Sequence, residues 1–336
     1  MMRLPRFRYL APRTVREAAA ILAGEGPQAM VVAGGTDLYP NMKRRQQTPK
    51  SLIGLRLVEA LRGVRGDPAR GIRIGPRTTL SDLEQNVLLR RHYPGLIEAV
   101  HSVATPILRN MGTIGGNICL DTRCNYLDQT YEWRRAIDFC MKCDGTVCWV
   151  APGSEICLAV SSSDTAPMLC ALGARLRLGS KRGERKIAAR DFYRRDGIRH
   201  LARRPDEILT EVELPPAGGW RSCYRKLRRR EAFDFPVLGV AACGRFEGPL
   251  LAEASLWLGA VSMAPVEARE AQAFLTGRPL TDEAIEEAAR LAYPVAKPVD
   301  NTDFGLRFRK EMTLSFVSQA LRALRPPDLT ASGRFA

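Results

Sequence analysis

The spacing of apolar and polar positions divides the chain into parts. Thr14-Val-Arg-Glu17 has the spacing of a capping box, in which hydroxyl and carboxylate satisfy free N–H groups of a first helical turn. The small apolar run behind it, residues 18–23, predicts a helix stopped by Gly24. Residues 29–33 are a short continuous apolar run ending in Gly34-Gly35-Thr36-Asp37, which predicts strand, glycine turn and helix in succession. Residues 51–55 read as a buried strand and 71–75 as an alternating one. Ser81-Asp-Leu-Glu84 is a second capping box. An apolar helix over 95–110 then leads to a second small-residue turn, Gly112-Thr113-Ile114-Gly115-Gly116-Asn117.

Residues 118–158 interrupt this α/β rhythm with mixed charge, two of the four tryptophans and no clear period. Asp164-Thr-Ala-Pro167 resumes it with a helix to residue 172, followed by strands at 174–178 and 208–214. The run Pro215-Pro216 and Gly218-Gly219 marks a domain boundary. Beyond it the pattern is antiparallel strands plus helices: strands at 223–229, 237–245 and 253–261, and helices at 265–274, 282–291 and 304–324, with Thr281 as an N-cap. The expected class is α+β, with domains at 1–219 and 220–326, an insertion at 118–158, and a disordered tail at 327–336.

Two stretches carry chemistry. A glycine turn lets backbone N–H groups approach an anion closely, and a following helix adds its positive end. The device occurs twice, near residues 34 and 115, so the two turns can clamp a pyrophosphate from both sides. No GxGxxG sequence is present, which argues against an ordinary dinucleotide fold. The interrupting stretch holds Cys119, Cys124, Cys140, Cys143, Cys148 and Cys157, six of the nine cysteines. Clustered thiolates bind soft metals. Zinc is the rival occupant, but only Cys140 and Cys143 are closely spaced, and all three histidines (His92, His101, His200) lie elsewhere. Wide spacing suits an iron–sulfur cluster, which gathers distant thiolates. A phosphate-bearing cofactor beside such a cluster reads as an electron-transfer subunit.

Composition adds four bounds. The chain is long enough for more than one core. It has no apolar run of membrane-spanning length and no secretory leader pattern, so a cytoplasmic protein is expected. In a reducing compartment, clustered cysteines are metal ligands more often than disulfides. The net charge is +15, but the basic runs are short and lack interleaved aromatics, so nucleic acid is not the expected partner. A docking face for acidic subunits or an acidic electron carrier fits that charge better.

Val31-Val32-Ala33-Gly34-Gly35-Thr36-Asp37-Leu38, Thr113-Ile114-Gly115-Gly116-Asn117, Ser163-Asp164-Thr-Ala-Pro167, and Lys226 with Asp234-Phe-Pro236 together resemble the FAD-binding medium subunit of the xanthine dehydrogenase family of molybdenum enzymes. The likeness spans nearly the whole chain and implies an FAD-binding PCMH/VAO-type domain followed by a CO dehydrogenase flavoprotein-like C-terminal domain. Most members lack the cysteine insertion. Its presence resembles the beta subunits of 4-hydroxybenzoyl-CoA reductases, which carry an extra [4Fe-4S] cluster. That likeness implies Cys124, Cys140, Cys148 and Cys157 as ligands, with Cys119 and Cys143 as non-ligands. It also implies that both glycine turns hold the FAD pyrophosphate, that Asp164 binds the adenine-side ribose or a neighbouring polar group, and that Lys226 lies near the isoalloxazine. The implied partners are a large molybdopterin-binding subunit, a small [2Fe-2S] subunit and a ferredoxin donor, in a heterohexamer. Electrons would serve the dehydroxylation of 4-hydroxybenzoyl-CoA to benzoyl-CoA in the large subunit. The alternatives are an FAD subunit of a hydroxylase acting on a purine, an aldehyde or an aromatic CoA ester, or a zinc-stabilised module without redox chemistry.

Overall fold

A computed structural model describes residues 3–326; the tail at 327–336 lies outside the described residues. Three sheets organise the chain. The first is parallel: β1 (Arg8–Leu10), β2 (Ala29–Val32) and β3 (Ser51–Gly54) lie in the order β1-β3-β2. Ser51 to Gly54 are all buried, as a continuous apolar run at the centre of a parallel sheet requires. The helix Val15–Glu25 covers this sheet through Ala18, Ala19 and Leu22. Thr14 caps it as expected, accepting from the Glu17 N–H, but the helix runs through Gly24 and stops at Gly26, whose φ is +63°. Only a residue with φ > 0 ends a helix in that way, and Gly24 has no such demand on it.

The second sheet combines β4 (Val64–Asp67), β5 (Gly71–Ile74), β6 (Arg175–Ser180), β7 (Gly183–Ala188) and β8 (Ile208–Leu214) in the order β4-β5-β8-β6-β7, all antiparallel. Short helices pack on it. One begins at Leu80 with Thr79 as its cap, two residues before the expected capping box; Ser81 bonds Asn110 instead. The expected helix at 95–110 is two helices, Pro94–His101 and Pro106–Arg109. Pro106 disfavours helical geometry at the residue before it, and Ala104 takes φ +48° in the break.

The third sheet, β9 (Trp220–Leu227), β10 (Leu238–Glu247), β11 (Leu250–Gly259) and β12 (Val266–Glu267), is an antiparallel meander, with β13 (Arg278–Pro279) pairing the start of β11. Helices Arg269–Leu275, Asp282–Ala292 and Leu306–Leu324 close one face over a separate apolar core. The α+β class therefore stands, a flavoprotein-like α/β part followed by antiparallel strands and helices. No helix among the described residues is long and apolar enough to cross a membrane.

Candidate functional site

The two glycine turns meet. A Cβ on Gly34 would strike the Met111 carbonyl group, so only glycine lets the first turn lie against the backbone that leads into the second. Val32 is buried with Met42 and Leu52, while Val31, Ala33 and Leu38 are half-buried, so these apolar neighbours shape the turn. Gly35 has φ +71° and lies under the Tyr39 ring. The backbone N–H groups of Gly34, Gly35, Thr36 and Asp37 have no hydrogen-bond partner among the described residues. Half-buried orphan amides in front of a helix, here Leu38–Lys43, are what an anion such as a diphosphate fills.

The second turn differs from expectation. The amides of Ile114 and Gly115 donate to the Thr78 and Pro76 carbonyls, and that of Gly116 donates to Thr113 Oγ1, its cap. These N–H groups are already engaged, so this turn offers shape rather than free donors. Gly116 is exposed, and only the Thr113 hydroxyl, at 3.2 Å, lies near where its Cβ would be. That contact is tight but lies on one side only, so a glycine there also leaves the exposed side open to a ligand. A Gly116→Val variant is expected to keep its fold and lose at least tenfold in flavin affinity, read as flavin content after gel filtration.

Asn117 ties this turn to the next motif. Its Oδ1 accepts from Ser163 Oγ (2.9 Å), from the Thr165 N–H (3.2 Å) and from Thr165 Oγ1 (2.7 Å). Asp164 and Lys226 are both almost completely buried and pair with each other at 3.1 Å. Lys226 also donates to the Ser102 and Asp234 carbonyls, which uses all three of its N–H groups, and Tyr224 Oη donates to Asp164. Burial pushes the Asp164 carboxyl up from its ordinary value, against the pull of Lys226 and Tyr224. In this structure Asp164 and Lys226 are held by contacts within the chain. A buried ammonium must satisfy its donors, and the carboxylate 62 residues away does so. The pair ties β9 to the helix Thr165–Ala171.

The cysteine stretch is closed at its neck by a two-way backbone pairing of Arg123 with Val160, and Asn301 clips it by bonding Leu158 and Asn125. Cys124, Cys140, Cys148 and Cys157 line one cavity, walled otherwise mostly by apolar side chains such as Leu127, Met141 and Val150, with Lys142 also in the lining. The two remaining cysteines of the stretch do not line it, although Cys143 packs against the apolar cluster that holds Cys124 and Cys157. Cys143 Sγ faces Arg134 at 3.1 Å and Asp144 at 3.4 Å, and Cys119 packs against the core of the second sheet. Burial, with neighbouring thiols adding to it, pushes Cys124 up to about 12. Backbone N–H groups of Tyr126 and Ala159 pull Cys124 and Cys157 the other way. Among the described residues no three Cys, His, Asp or Glu side chains gather closely enough for a single metal ion.

Gly197 backs Cys157: its N–H donates to the Cys157 carbonyl at 2.8 Å, and a Cβ there would lie 2.7 Å from Cys157 Sγ. Sequence reading missed this residue, which lies 40 positions from the cysteine it supports. Gly197→Val is expected to cut metal content by more than half without changing flavin content, measured by iron and flavin assay on one sample.

Arg123 joins the two sites. Its guanidinium donates to Asp37 of the first turn and to Asn41 (3.1 Å), lies 3.7 Å from Asp128, and covers the Phe235 ring at 4.5 Å. Asp37 is thus neutralised and drawn away from the orphan amides, where its charge would repel a phosphate. Arg123 precedes Cys124, so one residue separates the thiol cavity from a contact with the glycine turn.

Residues 5–217 match the model of the FAD-binding domain in molybdopterin dehydrogenases, and 222–324 match that of the CO dehydrogenase flavoprotein C-terminal domain. The chain belongs to the FAD-binding medium subunits of the xanthine dehydrogenase and CO dehydrogenase family of molybdenum hydroxylases, and is an oxidoreductase subunit that binds FAD. It is 31% identical over 334 residues to the aldehyde oxidoreductase FAD-binding subunit of Escherichia coli, covering 94% of this chain and 98% of that one. It is 28% identical over 320 residues to the carbon monoxide dehydrogenase medium chain of Hydrogenophaga pseudoflava, covering 95% and 97%. A chain in the crystal structure of the cyanide-inactivated Cu,Mo-CO dehydrogenase superposes with a TM-score of 0.79 at 28% identity, over 96% of this chain and 99% of that one.

Proposed function

We propose that this chain is the FAD and [4Fe-4S] subunit of a molybdenum-containing reductase that removes the hydroxyl of 4-hydroxybenzoyl-CoA. The observation that carries the reading is the ring of four thiols, Cys124, Cys140, Cys148 and Cys157, around one apolar cavity. The orphan amides at Gly34 to Asp37 fit a flavin diphosphate, with Val31 to Ala33 and Leu38 shaping the turn. Thr113, Ile114, Gly115, Gly116 and Asn117 form the opposite wall, and Asp164 with Lys226 brace it through Asn117 and its neighbours. When bound, the cluster and the flavin supply one- and two-electron redox chemistry between a low-potential ferredoxin and the molybdenum subunit. The chain's own residues bind, insulate and position.

The boundary falls near residue 219, with the flavin domain before it and a supporting domain after it. The partners are a large molybdopterin-binding subunit and a small [2Fe-2S] subunit in a cytoplasmic heterohexamer of two copies of each. The second reading, a hydroxylase in which electrons flow outward, is favoured by the dehydrogenase and oxidoreductase names of the relatives. The purified complex decides between them. With reduced ferredoxin it is expected to convert 4-hydroxybenzoyl-CoA to benzoyl-CoA; oxidation of an aldehyde or purine, with no dehydroxylation, would establish the second reading. The ferredoxin-dependent rate is expected to fall as salt rises, since the chain is strongly basic.

A further inference from the structure

Four thiolates around a cluster concentrate negative charge, and reduction adds one more unit in an apolar cavity. Burying such charge demands a compensating positive group. Among the described residues, Lys142 is the one charged side chain that lines the cavity. Its side chain is only 8% exposed. The ammonium donates to Asp121 Oδ1 at 2.7 Å, to Thr122 Oγ1 at 2.7 Å and to the Gly197 carbonyl at 2.6 Å, so all three N–H groups are engaged. Such a side chain cannot swing out to water. Gly197 bonds the Cys157 backbone, so one of the three acceptors that fix Lys142 also supports a residue of the cavity wall.

We infer that Lys142 is the fixed counter-charge of the thiol cavity and sets how readily its occupant accepts an electron. The inference rests on the cluster assigned under the proposed function. Asp121 is the reason the ammonium stays in place, and it also tempers it. Its carboxylate does not line the cavity, and it receives Gln47 at 3.1 Å and faces His200 at 3.8 Å. Lys142 lines the cavity and acts on Cys157 while Asp121 does not line it, so the positive partner of the pair is the one nearer the thiols. A positive charge held in a low-dielectric wall favours the more negative, reduced state. The neighbouring guanidinium of Arg134 does not share the task, since it is spent on Cys143 and the Arg44 and Arg45 carbonyls.

The test is an anaerobic redox titration of the full chain, followed by electron paramagnetic resonance, with iron, sulfide and flavin measured on each sample. Lys142→Met is expected to lower the reduction equilibrium about tenfold, which a one-electron couple reads as a midpoint about 59 mV more negative. Asp121→Asn, which leaves the ammonium less compensated, is expected to move the midpoint the other way, and Lys142→Arg to stay near the unmodified protein. A merely structural strap cannot produce shifts of opposite sign. Equal midpoints in all variants at full iron content would overturn the inference. So would loss of the cluster in Lys142→Met together with an unmoved midpoint in Asp121→Asn. An unmodified chain with flavin but no iron or sulfide would instead remove the cluster assignment, and this inference with it.

Discussion

Cys148→Ala is expected to lose essentially all iron and acid-labile sulfide and to keep its FAD. Cys148 lines the thiol cavity, and three sulfurs leave one corner of a cubane without a protein ligand. Cys143 does not line that cavity, and its sulfur is engaged by Arg134 and Asp144. The flavin is expected to stay because none of the cavity-lining residues belongs to the Gly34 turn, which Arg123 braces through Asp37. Iron and flavin assays on the same anaerobic preparation check both halves. Full iron in this variant would refute the ligand set, and loss of flavin alongside iron would refute the separation of the two sites.

Lys226→Met is expected to destabilise the protein by about 3–5 kcal/mol, because it leaves a buried carboxylate without its partner. Asp164 and Lys226 are 4% and 3% exposed, so solvent does little to compensate. The pH dependence has a definite sign. The Asp164 carboxyl is already raised by burial, and removing the ammonium raises it further above its unfolded value. A folded state that binds its proton more tightly than the unfolded state is favoured at low pH and loses stability as pH rises through the folded value. Chemical denaturation of the variant and the unmodified protein should therefore show a smaller difference at pH 5 than at pH 8. A difference that grows on acidification would contradict the pairing.

The sequence carries much of this arrangement. Apolar patterns locate β2, β3 and β8 almost to the residue, β2 and β3 as short runs in the parallel sheet and β8 by the alternation of its second half. The helix at 282–292 follows directly from Thr281, whose hydroxyl accepts from the Ala284 N–H. The charged edge strand β7 was not legible, since Gly-Glu-Arg-Lys-Ile-Ala has no apolar face to announce it. The early cap at Thr79 reflects a tertiary preference: the Leu80 amide donates to the Gly112 carbonyl, so the second turn decides where that helix begins. At the site, residue types and order point to the cysteine stretch and the glycine turns, while the choice of four thiols comes from the family resemblance. The engaged amides of the second turn, the Asp164–Lys226 pair, and the roles of Arg123, Lys142 and Gly197 depend on contacts between distant segments, which spacing along the chain does not encode.

The central claim is that one chain holds a flavin at the Gly34 turn and a cubane at the four-cysteine cavity. Mössbauer spectroscopy of the full chain, loaded anaerobically with isotopically labelled iron and sulfide and carrying FAD, tests it most directly. The account predicts a single diamagnetic [4Fe-4S] signal per bound flavin, lost in Cys148→Ala. Isolated tetrahedral iron, or a chain that takes up flavin and no iron, would contradict it.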